Sequence, residues 1–164
     1  MCISIIKKIF KGSSNKTHYG YKIAYKIGNK YQPLFRCQWE RWEIGSYYTA
    51  SDQDCYTYNK NKADLKKRFK HLLGRNLYLK LIRSENGHYY ESGYHYFSTL
   101  KEAAKAYQKM GFESSGKRIL YCEFKERLAT GYQHGLQCWV AKKMMPMEEL
   151  TIEEVKYALK MEES

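Results

Sequence analysis

The sequence predicts a single α+β domain in which a mainly antiparallel sheet of about six to seven strands has three to four helices packed against it. Several segments alternate apolar and polar residues with the period of two that is typical of strands, and short turns join them as hairpins. Other segments carry the capping patterns that begin helices. The length of 164 residues suits one domain. We expect a short basic helix at residues 1–11, an α+β core at 17–145 and an acidic helix at 148–164.

The first third of the chain predicts one helix and three strands. Residues 1–11, MCISIIKKIFK, place isoleucines and a phenylalanine on one side of a helix and lysines on the other. Residues 19–27 alternate tyrosines and isoleucines with smaller or charged residues, which predicts a strand. The pair Gly28-Asn29 then predicts a hairpin turn, and residues 31–39 are expected to form the second strand of this hairpin. Residues 42–49 are expected to form the third strand.

The middle of the chain predicts a helix followed by a hairpin. Asn61 can cap a helix at residues 62–73, and Gly74 can end it. Alternating leucines predict a strand at residues 77–81. A turn at Asn86-Gly87 then leads into residues 88–91.

Two capping boxes mark the helices of the C-terminal half. Thr99 with Glu102 begins a helix that ends at Gly111, and Thr151 with Glu154 begins one that runs to about Met161. Between these helices, alternation predicts strands through residues 120–124 and 136–140. Cys122 and Cys138 fall on the apolar faces of these strands, so we expect both cysteines in the core.

The charge is concentrated in two parts of the chain. The net charge is +12, and residues 1–36 and 60–83 each contribute +8. Such a distribution suggests an anionic partner, which is nucleic acid, a nucleotide or a membrane surface. An A/T-rich genome is the alternative explanation, because lysine, tyrosine, isoleucine and asparagine all have A/T-rich codons.

The predicted helix at residues 62–73 is the first candidate binding site. Its lysines lie beside and opposite its apolar face, and basic residues continue into the following strand, so the surface can follow a phosphate backbone through charge. Lysine discriminates bases poorly, which favours contact without sequence specificity. The candidate anion-binding residues are Lys66, Lys67, Lys70, Arg75, Lys80 and Arg83. A solvated helix face is the alternative.

The second candidate is an aromatic group in the segment Ser92–Phe97. Alternation puts Tyr94 and Tyr96 on one face of a strand and His95 with Phe97 on the other. Aromatic rings next to a histidine can stack on bases or on a nucleotide ring. The alternative is a tyrosine-rich strand that packs beneath the next helix.

Common catalytic and targeting motifs are not found. The segment at residues 111–118, GFESSGKR, has nearly the spacing of a P-loop, but it is expected to follow a helix and open a strand, the reverse of that motif. The five histidines lack metal-ligand spacing, and no apolar run is long enough to span a membrane. An odd number of widely spaced cysteines without a secretory signal favours a reduced, cytoplasmic protein. We expect no cofactor and no metal.

The strings WEIGSYYTA, GYHYFSTLKEAAKAY and KRILYCEF resemble small uncharacterised proteins of phages and mobile elements, which carry a Gly-Phe/Tyr-His-x-Phe element before an alanine-containing helix. The order of elements also resembles compact ADP-ribosyltransferase-like folds. The first resemblance implies a phage accessory protein in the host cytoplasm. Together with the charge, it predicts binding of an anionic partner without catalysis, with nucleic acid favoured over a nucleotide or a host protein, during host takeover or counter-defence. The second implies an NAD-using enzyme instead. A third reading is a structural protein that docks through its C-terminal helix.

Overall fold

The computed structural model describes residues 3–10, 15–34, 40–50, 81–110 and 116–161. These residues form nine strands and two helices. The strands are β1 (Ile5–Ile9), β2 (His18–Ile27), β3 (Lys30–Pro33), β4 (Tyr48–Thr49), β5 (Leu81–Arg83), β6 (Tyr89–Glu91), β7 (Tyr94–Tyr96), β8 (Lys117–Gln133) and β9 (Leu136–Glu149). The helices are α1 (Leu100–Lys109) and α2 (Ile152–Lys160). Seven strands build one curled, antiparallel sheet, and β5 pairs with β6 separately.

A long hairpin of β8 and β9 organises the sheet. The two strands are paired from Leu120 opposite Glu149 to Gln133 opposite Leu136. The N-terminal half of β8 also pairs with β2, and its C-terminal half pairs with β1. In the same way, β9 pairs with β7 and β4. Each long strand therefore carries two short neighbours on its outer edge, and two irregularities in the β8–β9 register allow the hairpin to bend.

The two faces of the sheet bury different cores. One face, which includes Ile119 and Val140, packs against α1 and α2. The other face encloses an aromatic cluster that includes Trp42, Tyr96 and Phe124. A bridge from Phe97 to the β2 residue opposite it draws β7 toward β2, so the sheet curls around this second cluster. The burial of residues on both faces makes the sheet the central layer of the domain.

Both described helices begin where their capping boxes predict. The Thr99 side chain accepts a hydrogen bond from the backbone N–H of Glu102 at 3.2 Å, and α1 follows it. At α2 the box is complete, because Thr151 and Glu154 each accept from the backbone of the other. Val155 is buried and Leu159 packs against the same core, so this part of the apolar side of α2 is covered by its own domain, whereas Ile152 and Tyr157 are exposed.

The prediction of a helix at residues 1–11 is wrong, because Ile5–Ile9 forms strand β1 and pairs with β8. Ile3 and Ile6 are buried at a spacing of three, which fits a helix, but Ile3 precedes β1 and Ile6 belongs to the strand that pairs with β8. The expectation of three to four helices is not matched either: the described residues contain two, and the helix predicted at 62–73 lies outside them. The C-terminal helix starts at Ile152, because residues 148 and 149 end β9.

The predicted turns and strands have mixed outcomes. Gly28 and Gly87 adopt positive φ values of 61° and 82°, so both hairpin turns lie where the sequence predicts them. The strands expected at residues 120–124 and 136–140 are confirmed and are much longer than the alternation suggested. The strand expected at residues 42–49 is reduced to Tyr48–Thr49, with a single bridge at Trp42. Within residues 31–39, strand β3 ends at Pro33, and 35–39 lie outside the described ranges.

A small polar network at Glu149 ties the end of β9 to β2, β3 and β8. Its carboxylate accepts hydrogen bonds from Lys26 Nζ at 2.7 Å, Arg118 Nε at 3.1 Å and the hydroxyl of Tyr31. Partial burial opposes ionisation of Glu149, but the bonds from Lys26 and Tyr31 and the positive charges of Lys26 and Arg118 outweigh it and lower the pKa of this carboxyl. The carboxylate is therefore more stable in the folded protein than in the unfolded chain.

Replacing Glu149 with glutamine is expected to lower the free energy of unfolding by about 1–2 kcal/mol at pH 7, because Lys26 and Arg118 lose their negatively charged partner. Since the folded pKa lies below the ordinary value of 4.5, the stabilisation is present above that pH and is lost as the pH falls through the folded pKa. Thermal unfolding of both proteins from pH 7 to pH 3 should show the difference shrinking. The exposed neighbour Glu148 supplies the control, Glu148→Gln, and an equal loss in this control would contradict the assignment.

Candidate functional site

The candidate basic surface of the sequence falls mostly outside the described residues. Lys66, Lys67, Lys70, Arg75 and Lys80 all lie between residues 51 and 80, which the structure does not describe. Arg83 is the last residue of β5 and pairs through its backbone with Tyr89.

The aromatic group Tyr94, His95 and Tyr96 forms strand β7. Tyr94 and Tyr96 are buried in the aromatic cluster, where the Tyr94 hydroxyl donates to Glu40 at 2.6 Å. The His95 ring is on the other face, with Nε2 3.0 Å from the hydroxyl of Tyr90. The three side chains therefore do not converge on one side of the strand, and each already contacts neighbouring protein groups.

The cysteines in the core are inert. Cys122 and Cys138 are completely buried, as the alternation predicts. Burial raises the pKa of both thiols, that of Cys138 to about 12, so neither forms the thiolate that a nucleophile requires. Across the described ranges no three metal-binding side chains come together, and neither α1 nor α2 is long and apolar enough to cross a membrane.

A row of cations and aromatic rings lies across β1, β8 and β9. We call it the cation–aromatic strip; its members are Lys7, Lys8, Phe10, Arg127, Tyr132 and Trp139. Lys7 Nζ lies 4.6 Å from the centre of the Tyr132 ring, and Lys8 Nζ lies 5.2 Å from that of Phe10.

The remaining contacts of the strip join Phe10 to Arg127. The rings of Phe10 and Trp139 are 6.1 Å apart with planes inclined by 24°. The guanidinium of Arg127 lies over Trp139 at 3.7 Å, and its Nε donates to the hydroxyl of Tyr96 at 2.8 Å. Cations held at these distances from ring faces are attracted by the π electrons. The strip therefore consists of two sets of contacts, which start from the successive residues Lys7 and Lys8 of β1.

The fold of β1 directs both lysines of the strip toward solvent. The register of β1 on β8 shifts between Ile6 and Lys8, so the strict alternation of inward and outward side chains is interrupted there. Ile6 is buried, whereas Lys7 and Lys8 are both exposed. Without the irregularity, one of two successive lysines would point into the core. The bulge therefore creates the pair of exposed charges.

The charges of the strip differ from those of six other cations on the sheet. Lys30, Lys125, Lys142 and Lys143 each form an ion pair with a glutamate, as do Lys26 and Arg118. Among the residues that the structure describes, Lys7, Lys8 and Arg127 have no acidic partner within ion-pair distance. These three charges are therefore available to an anion outside the described residues.

His18 reports the electrostatic potential next to the strip. Partial burial and the positive charges of Arg127 and Lys16 lower the pKa of its imidazole. The ring is consequently neutral at pH 7, since the ordinary value is 6.5. Burial is the larger cause of this shift, and the smaller contribution of Arg127 and Lys16 is a positive potential that also favours the approach of phosphate groups.

The sequence alone does not reveal this strip. The pattern of residues 1–11 predicts a helix for Lys7 and Lys8, and no motif indicates a role for Arg127 or Tyr132. One signal was present: Trp139 lies between Cys138 and Val140 on a predicted strand, so alternation places this large ring on the opposite face from two core residues.

Comparison of the chain with protein-family models, curated proteins and solved structures found no match. Function is therefore inferred from the chemistry of the molecule itself.

Proposed function

We propose that the protein binds single-stranded nucleic acid through the cation–aromatic strip. The observation that supports this proposal is the set of three cations without described acidic partners, lying next to partly exposed aromatic rings. Proteins that bind single strands combine positive charge along the backbone path with rings on which bases stack. The strip offers both within one surface. No sequence preference is expected, since stacking accepts every base.

The two kinds of side chain have separate roles. Lys7 and Lys8 are exposed on an outer strand, where their ammonium groups can contact successive phosphates. Phe10, Tyr132 and Trp139 are partly buried, so their positions are fixed while part of each side chain still reaches solvent. Arg127 is held between Trp139 and Tyr96, which orients its guanidinium before any ligand arrives. A fixed surface of this kind loses little entropy on binding.

Changing Lys7 and Lys8 together to glutamate is expected to weaken binding to a short oligothymidylate at least about tenfold at low salt. Each phosphate contact contributes about 0.7 to the slope of log affinity against log salt for single strands, so the variant should also have a flatter slope. Fluorescence anisotropy at a series of salt concentrations measures both quantities. The change Phe10→Leu should weaken binding and leave the salt slope unaltered, because it removes a stacking ring and no charge.

The matched control is the pair Lys156→Glu and Lys160→Glu on α2. Both residues are exposed, they change the net charge by the same amount, and α2 packs on the opposite face of the sheet. This control should bind nearly as well as the unchanged protein. Equal weakening by both pairs would show that only net charge matters, and absence of binding to DNA and RNA at about 50 mM salt would overturn the proposal.

A further inference from the structure

A concave region lies on the face of the sheet opposite the cation–aromatic strip, between the C-terminal end of α1 and the turn that joins β8 to β9. It is a cavity of about 380 Å³. Phe97, Met110 and Leu136 give it mostly apolar walls, while Gln133 and Lys109 contribute polar groups. A volume in the range of about 300–1,000 Å³ with apolar walls and a few polar groups is typical of small-molecule sites.

Gln133 is the unusual member of this lining. Its side chain is only 4% exposed, and Oε1 has no hydrogen-bond donor within reach among the described residues. Leaving a buried carbonyl oxygen without a donor is costly, so native proteins rarely do so without a reason. A ligand that donates an N–H or O–H group would satisfy this oxygen.

The surrounding backbone fixes Gln133 in place. It is the last residue of β8 and pairs with Leu136 across a two-residue turn. His134 and Gly135 in that turn have φ values of 50° and 78°. Lys109 Nζ at the end of α1 donates to the carbonyl of His134 at 2.9 Å, which ties the helix to the turn. The cavity is therefore formed before a ligand arrives.

We propose that this cavity binds an adenine base. The glutamine amide presents an acceptor beside a donor, the pattern that pairs with N6 and N7 of adenine. A flat, weakly polar ring suits walls made by Phe97, Met110 and Leu136. The exposed Lys109 at the rim supplies a positive charge for a phosphate attached to the base. The site is independent of the cation–aromatic strip, because it lies on the helix-covered face of the sheet.

The base has two possible sources, a free nucleotide or the end of a strand. Calorimetry with adenosine 5′-monophosphate, adenosine and purine riboside tests the chemistry. Purine riboside lacks the amino group, so it should bind at least about tenfold more weakly than adenosine. Competition of oligoadenylate against adenosine 5′-monophosphate identifies the source: competition in proportion to strand ends indicates a strand terminus, and no competition indicates a free nucleotide.

The variant Gln133→Leu keeps the size of the side chain and removes the oxygen. It should abolish the preference for adenosine over purine riboside and leave the melting temperature unchanged or higher, since an unpaired buried group is replaced by an apolar one. Binding of oligothymidylate should be unaltered in this variant, which separates the test from that of the strip. Absence of heat with millimolar adenosine 5′-monophosphate and adenosine, or unchanged selectivity in Gln133→Leu, would overturn the proposal.

Discussion

Replacing Phe124 with alanine is expected to lower the free energy of unfolding by about 3–5 kcal/mol, the usual loss when a buried phenylalanine is truncated. Phe124 is completely buried, and its ring stacks on Tyr96 with centroids 3.8 Å apart and planes inclined by 9°. Both rings belong to the aromatic cluster inside the curled sheet, which has little room to collapse around a cavity. Urea denaturation followed by circular dichroism measures the loss.

The control for Phe124→Ala is Phe124→Leu. Leucine keeps most of the buried apolar volume, so this variant should lose less than half as much stability. If the alanine variant lost about 1 kcal/mol or less, the cluster would not be the tightly packed core that the structure shows.

The substitution Gly131→Ala is expected to lower the free energy of unfolding by about 3 kcal/mol or more, because the neighbouring backbone of β1 must move. Gly131 on β8 lies directly opposite Ile6 of β1. A methyl group there would overlap the carbonyl oxygen of Ile5 and would lie 2.6 Å from Cγ2 of Ile3. The clash acts mainly on β1, so this strand should detach before the rest of the sheet unfolds. Hydrogen exchange of the β1 amides, together with thermal unfolding, measures both effects.

Gly135→Ala is the control for this substitution. Gly135 has a positive φ of 78° but open space around its Cα, so alanine there should cost only about 1–2 kcal/mol of backbone strain. Because β1 carries Lys7 and Lys8, the Gly131 variant should also lose oligonucleotide binding, whereas the Gly135 variant should keep it. Retention of full binding by Gly131→Ala would mean that β1 is not part of the interface.

Local patterns predicted the elements whose apolar and polar residues alternate regularly in the sequence. The alternation at residues 19–27 and 120–124 located β2 and the N-terminal half of β8, which pair with each other without a register shift. The two described helices were located because Thr99 and Thr151 begin them with side-chain hydrogen bonds that depend only on neighbouring residues. The full lengths of β8 and β9 were not predictable, because register irregularities disturb the alternation partway along the hairpin.

Local sequence patterns could not predict strand β1 or the two proposed sites, and the reason is the same for all three. Ile3 and Ile6 are buried with the spacing of a helix, and only the pairing of Ile5–Ile9 with β8 decides between the two structures. The strip brings Lys8 together with Trp139, and the cavity brings Phe97 together with Gln133. Such contacts depend on the strand order of the sheet, which the period of a single segment does not reveal.

Photo-crosslinking tests the central claim, that single-stranded nucleic acid binds at the cation–aromatic strip. Aromatic side chains that stack on bases form covalent links to them under ultraviolet light, and peptide mass spectrometry locates the links. With an oligothymidylate, we expect crosslinks at Phe10, Tyr132 or Trp139, and their loss when Lys7 and Lys8 are changed to glutamate. Crosslinks confined to the basic segment at residues 60–83, or unaltered by the lysine changes, would contradict it.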